Sequence, residues 1–171
     1  NPDLVVSVNS VGSIRPDLSP GTVAVAGDVL DLAVRPWTFH DDEATHADRT
    51  SIFDPHASGV CKNAISSVQK NAPDGLVVAQ CIGPQFESPA EINALERLGA
   101  HVVGMTLGPE SRLLSETSIP YAGLPCCSNW AAGRTPGMPN EKISHHDVDE
   151  IASGMRETVA LCINALLSDM G

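Results

Sequence analysis

The chain has 171 residues, 42% hydrophobic and 18% charged, with a formal net charge of −11. That is enough chain for one domain with a substantial core. The acidic balance argues against binding nucleic acid or an anionic membrane through a general basic field, and no apolar run is long enough to predict a membrane span.

Residues 4–8, LVVSV, predict a short buried central strand ending in a polar turn, Asn9-Ser10-Val11-Gly12-Ser13. Backbone N–H groups in such a turn can meet an anion. Residues 21–32 predict two short strands in a hairpin, turned at Pro20-Gly21. Residues 41–54 are polar and aperiodic and predict a long surface loop holding His46 and Phe53. Residues 57–72 have helical periodicity through Val60, Ala64, Ile65 and Val68, and Pro73-Asp74-Gly75 ends the pattern. Residues 76–81 predict a second buried strand.

The stretch 81–105, CIGPQFESPAEINALERLGAHVVGM, is the most informative. Ser88 and Glu91 form a capping box, Pro89 suits the first helical position, Ile92, Leu95 and Leu98 share a face, and Gly99 can take the left-handed stop. These signals add about 1–2 kcal/mol of helix stability. They predict a strand, turn, helix, strand unit, with Phe86 and Glu87 at the carboxyl end of one strand and Met105 and Thr106 at the next, where such units hold ligands. A helix follows over 109–117, with Glu110 in its first turn, where a carboxylate suits the helix dipole. Residues 121–127 predict an apolar strand ending in Ser128-Asn129-Trp130, and 133–142 a Pro/Gly-rich flap. A single helix is predicted from Ser144, as its cap, to about Asp169. The five cysteines are odd in number and have no metal-ligand spacing. They are expected to be reduced and buried, as in a cytoplasmic protein. No clustered histidines point to a metal, and no G-x-S-x-G points to a serine hydrolase. The fold class expected is α/β, a central mixed sheet flanked by helices.

The block G-P-Q-F-E-S-P-A-E followed by L-G-A-H-V-V-G-M-T resembles the trimeric purine nucleoside phosphorylase and methylthioadenosine (methylthioinosine) phosphorylase family. So do N-S-V-G-S-I-R-P-D-L-S-P-G-T near the start, R-P-W-T-F at 35–39 and S-N-W-A-A-G at 128–133. The resemblance covers most of the chain and implies one nucleoside phosphorylase-like domain over residues 1–171, the C-terminal two-thirds of the family fold. It implies phosphate-dependent cleavage of a purine nucleoside to free base and ribose 1-phosphate, with phosphate as co-substrate and no cofactor or metal. By matched position, Glu87 accepts from the N1 side of a 6-oxopurine and Asn129 donates to N7 or O6. These two carry catalysis. Phe86 packs on base and sugar, Met105 lies under the ribose, Thr106 bonds a ribose hydroxyl or phosphate, and Asn9 and Ser10 lie beside phosphate and ribose, with Ser10 replacing a more usual Ala. His46 matches a histidine lent to a neighbouring subunit's pocket, with Phe53 an alternative; a solvated loop histidine is the plainer reading. The Glu87 and Asn129 pair implies a 6-oxopurine or 5′-methylthio nucleoside. The family's glycine-rich phosphate loop and Arg-x-His motif do not occur in this sequence. The expectation is therefore a homotrimer with further chain ahead of Asn1, or a hetero-oligomer with a partner chain carrying that N-terminal half. The alternative is a non-catalytic relative that binds purine nucleosides as a subunit of a larger complex.

Overall fold

The computed structural model describes residues 2–32, 37–40 and 42–171, without the side chain of His145. Arg35 and Pro36 of the R-P-W-T-F element lie outside the described residues. Five strands form one mixed sheet: β1 (Val5–Ser13), β2 (Ala26–Asp31), β3 (Leu76–Gln80), β4 (Val102–Gly104) and β5 (Tyr121–Trp130). Five helices accompany them: α1 (Pro55–Val68), α2 (Pro89–Arg97), α3 (Leu107–Ser115), α4 (His145–Gly154) and α5 (Arg156–Met170). The strand order is β2-β3-β4-β1-β5. Every neighbouring pair is parallel except β4 and β1. The α/β class with a central mixed sheet is as the sequence predicts.

The first strand is longer than expected. Residues 9–13 continue in the sheet, paired in parallel with β5 as far as Ser13 opposite Trp130, with a register shift between Val11 and Gly12. They form no terminal turn. The ladder partner keeps the polar end extended, a tertiary influence that local composition does not report. The hairpin expected at 21–32 is also absent. Gly21, Thr22 and Ala24 exchange backbone hydrogen bonds with Cys127 and Pro125 of β5, and Val23 bridges Cys126. The chain then crosses to pair β2 in parallel with β3. Residues 21–24 thus lie along the outer edge of β5 and cover it, while residues 26–31 form the opposite edge of the sheet.

Side-chain alternation along β5 divides the core. Ala122, Leu124 and Cys126 pack with Cys61 and Ile65 of α1 and Cys162 and Leu166 of α5. Tyr121 and Cys127 face the opposite way, with Phe53, Val78, Val102 and Leu107. Phe53 is only 7% exposed and its ring centroid lies 5.1 Å from that of Tyr121. It is a core residue of its own chain. Helix α1 starts earlier and stops earlier than its periodicity suggests: Asp54 accepts from the Ala57 N–H at its start, Ala57, Cys61 and Ile65 are its buried face, and Val68 is exposed. The single C-terminal helix is two. The Met155 N–H closes a short turn onto the Ala152 carbonyl, and Met155 is buried at the joint. Gly154, a poor helix former, sits where α4 ends over β5 and α5 begins its packing on α1. Ser144 occupies the capping position of α4 without a side-chain capping bond. All five cysteines are free thiols, four of them buried and Cys81 half-buried.

Candidate active site

The β1–β4 ladder is short. Gly12 faces Val103 and Ser13 faces Val102, and beyond these pairs the strands part. The opening lies beyond the carboxyl ends of β3 and β4, where open α/β sheets hold their ligands. The cavity that results holds about 310 Å³ and is lined by residues 8–12, Phe86, Glu87, residues 103–106, Asn129, Ala131, Ile143, Val148 and Asp149. That is within the usual range for a small-molecule site.

Local structure explains how each group arrives. The Ser88 hydroxyl accepts from the Glu91 N–H, and the Glu91 carboxylate accepts from the Ser88 N–H, which completes the capping box and starts α2 directly after Phe86 and Glu87. Gly99, at φ 94°, ends that helix as its sequence predicts. Gly83 has φ 67°, and a Cβ there would fall 2.5 Å from Met105 Sδ, so the bare backbone leaves Met105 its place in the cavity. A Cβ on Gly12 would sit 3.2 Å from Asn129 Nδ2. The Thr106 side chain does not cap α3. Gln80, at the end of β3, does so instead, accepting from the Gly108 N–H at 2.8 Å.

Two polar chains converge on the cavity. In one, the Ser10 hydroxyl donates to Ser128 Oγ at 2.7 Å and Ser128 donates to Asn129 Oδ1 at 3.1 Å. Asn129 Nδ2 gives one hydrogen to the Trp130 carbonyl at 2.8 Å, leaving a second N–H for the cavity. In the other, Asn9 Nδ2 donates to Thr106 Oγ1 at 2.7 Å and to Glu110 Oε2 at 3.1 Å. Glu110 Oε2 also accepts from Ser7 Oγ at 2.6 Å, and Ser7 accepts from Tyr121 Oη at 2.7 Å. Burial, more than the Glu110 carboxylate, holds the Tyr121 phenol well above its ordinary pKa. Beside Glu87, burial and then that carboxylate push the Cys81 thiol up to about 12.

Phe86, Glu87, Met105, Thr106, Asn9, Ser10 and Asn129 therefore meet at one cavity, from four separate stretches of chain. His46 is exposed and lies outside its lining. Sequence reasoning missed Ser7, Ser128 and Glu110 as supports and Ile143, Val148 and Asp149 as walls. Period-two spacing puts Ser7 and Asn9 on one strand face, and four-residue spacing puts Thr106 and Glu110 on one helix face, so the second chain had a readable signal. Among the described residues, the lining holds Glu87 and Asp149 but no Lys, Arg or His. Arg15 pairs with Asp17, and Arg49 donates to Ser111 and Ser115. No group of three or more His, Cys, Asp or Glu among the described residues could hold a metal ion, and no described helix is long and apolar enough to cross a membrane.

A family model described as the phosphorylase superfamily matches residues 1–168. A protein of Methanopyrus kandleri named probable S-methyl-5′-thioinosine phosphorylase is 38% identical over 131 residues, covering 75% of this chain and 51% of its own length. One of the same name from Methanothermobacter thermautotrophicus is 34% identical, covering 97% of this chain and 56% of its own. The 6-oxopurine nucleoside phosphorylase of Pyrococcus furiosus is 31% identical, covering 95% and 63%. The chain thus spans about half to three-fifths of the length of these curated relatives. Among solved structures, methylthioadenosine phosphorylase from Schistosoma mansoni in complex with adenine superposes with a TM-score of 0.87 at 19% identity, covering 99% of this chain and 66% of that one. A methylthioadenosine phosphorylase from an antarctic soil metagenomic library gives 0.84 at 23% identity, covering 99% and 61%. At these identities the likeness is one of fold.

Proposed function

The chain belongs to the phosphorylase superfamily, and on that footing we propose that its cavity takes a purine nucleoside and that the protein splits the N-glycosidic bond with phosphate. The observation that carries this reading is the meeting of Glu87 and Asn129 with Thr106, Asn9 and Met105 around one cavity of nucleoside size. In this reaction a phosphate oxygen bonds to the anomeric carbon as the bond to the base breaks, and the bonding pair leaves with the purine. Asn129, with one N–H uncommitted, donates to N7 or O6, where that negative charge collects. One well-placed donor of this kind contributes roughly 3–4 kcal/mol of transition-state stabilisation. The Glu87 carboxylate accepts the N1–H that a 6-oxopurine carries and an adenine lacks. This supports inosine, guanosine or their 5′-methylthio forms as substrates, in keeping with the names of the relatives. Phe86 covers base and sugar, Met105 lies under the ribose, and Thr106, Asn9 and Ser10 serve the ribose hydroxyls and phosphate. Holding both reactants together supplies much of the rate. Phosphate is the co-substrate, and no cofactor takes part.

The reading extends to a single nucleoside phosphorylase-like domain over 1–171, a cytoplasmic location and a homotrimer in which exposed His46 serves a neighbouring copy's cavity. One observation favours a second reading. Among the described residues no cationic side chain lines the cavity, so an anion would rest on neutral donors or on groups from a partner chain. A relative that binds nucleosides without phosphorolysis fits that lining. Base release from inosine, guanosine, adenosine and methylthioinosine, with and without phosphate, separates the two. Phosphate-dependent release of hypoxanthine or guanine supports the enzyme. Tight purine binding with no release supports the binding relative.

A further inference from the structure

The Asn9 amide is 4% exposed. Its Oδ1 is buried with no hydrogen-bond partner among the described residues, while its Nδ2 makes two bonds. A buried amide oxygen left unpaired is costly, so something must hold the amide in this orientation. Glu110 does. Its Oε2 already accepts from Ser7, which Tyr121 supplies in turn, and every group facing that oxygen is a donor. Turning the amide over would set Asn9 Oδ1 against a carboxylate oxygen, two acceptors with no hydrogen between them. With Nδ2 fixed, its second hydrogen goes to Thr106 Oγ1. Thr106 thereby has an incoming hydrogen bond and no acceptor for its own hydrogen among the described residues, and the residue lines the cavity.

We infer that Glu110 is a positioning residue: by locking the Asn9 amide it makes Thr106 a dedicated hydrogen-bond donor to an oxygen of the bound ligand. This rests on the reading that the cavity takes a nucleoside and phosphate. The acceptor is a ribose hydroxyl or a phosphate oxygen, and separate titrations with the nucleoside and with inorganic phosphate tell these apart. In Glu110→Gln the new amide can donate to Asn9 Oδ1, the Asn9 amide is free to turn, and its oxygen then draws the Thr106 hydrogen away from the ligand.

The test is a calorimetric titration of inosine and of inorganic phosphate into the protein, E110Q, T106V and the double variant. E110Q is expected to weaken the ligand that Thr106 contacts by about tenfold, the scale of one hydrogen bond, and by less than about twofold once T106V has removed the hydroxyl, because coupled sites do not add. Any effect of the Glu110 charge on a phosphate persists in both backgrounds and cancels in this comparison. A residue needed only for folding would give the same ratio with and without the Thr106 hydroxyl. If E110Q does not fold, E110D, which keeps the charge and shortens the reach, carries the same comparison. Equal effects in both backgrounds, no effect in either, or no binding of either ligand to the unmodified protein overturns the inference. Base release is measured in parallel. Ligand binding with the expected coupling but no base release removes the phosphorolysis reading and leaves the inference standing. Phosphorolysis without coupling does the reverse.

Discussion

Gly108→Ala tests whether the end of one strand governs the start of α3. A Cβ at Gly108 would lie 2.4 Å from Gln80 Cγ and 2.7 Å from its Cβ. The second contact is close to the backbone, so rotating the far end of Gln80 does not relieve it. Overpacking of this kind costs about 1–3 kcal/mol. Displacing Gln80 also breaks its bond from the Gly108 N–H, the side-chain cap that Thr106 does not provide, for about 1 kcal/mol more. The expected loss is about 2–4 kcal/mol, which lowers a urea midpoint by roughly 1–2 M at the denaturant sensitivity usual for a domain of this size. Urea unfolding followed by circular dichroism measures it. The same substitution made on Gln80→Ala should cost less, because the Cγ contact and the hydrogen bond are already gone and only the 2.7 Å contact with the Cβ remains. A G108A midpoint within about 0.2 M of the parent, or full additivity with Q80A, would refute the argument that Gln80 and Gly108 form one unit.

Three further outcomes are expected. Glu87→Gln should lower kcat/KM for inosine about 100-fold, the scale of one lost transition-state contact, with little change in thermal midpoint; a loss below about threefold would remove Glu87 from base recognition. His101, whose Nδ1 accepts from the Val77 N–H, is held below the ordinary histidine pKa, first by burial and then by Arg15. Folding therefore favours its neutral form, and the stability this contributes is present above pH 6.5 and lost as pH falls through the lowered value; His101→Gln should flatten the acid limb of a stability profile, and an unchanged limb would count against this account. Burial raises the thiols of Cys126 to about 11 and of Cys127 to about 12, with Cys81 raised alongside. At pH 8 iodoacetamide should leave these three unlabelled in the native protein and label them in urea, and rapid native labelling would show that the sheet opens.

Local chemistry was legible wherever it acts alone. The Ser88–Glu91 box, Pro89 and Gly99 set α2 because capping needs only neighbours in sequence, and this fixed Phe86 and Glu87 at the mouth of the cavity. What the sequence concealed was pairing across distance. Asn9 to Ser13 look like a turn until β5 is known to lie beside them, and residues 21–25 look like half a hairpin until their bonds to Cys127 and Pro125 are seen. Phe53 lies in a polar stretch, and only its stacking on Tyr121 makes it core. In sequence Glu110 looks like a complement to its own helix, whereas its partners Ser7 and Asn9 come from a strand about a hundred residues away.

That separation has a price in time. Ser7 and Tyr121, which meet in the buried chain beneath the cavity, are 114 residues apart. At ordinary ribosomal speeds β5 follows β1 by roughly 6 to 23 seconds, and β4 is made only near the end of that interval, so for most of it β1 has neither of its sheet neighbours. Non-local parallel pairing is also slow to form once both strands exist. The nascent chain therefore passes through an interval in which its central strand is an open, apolar edge, the form of intermediate that chaperones shield. Slowing synthesis between codons 13 and 121 should raise aggregation of this protein more than the same delay placed after codon 130.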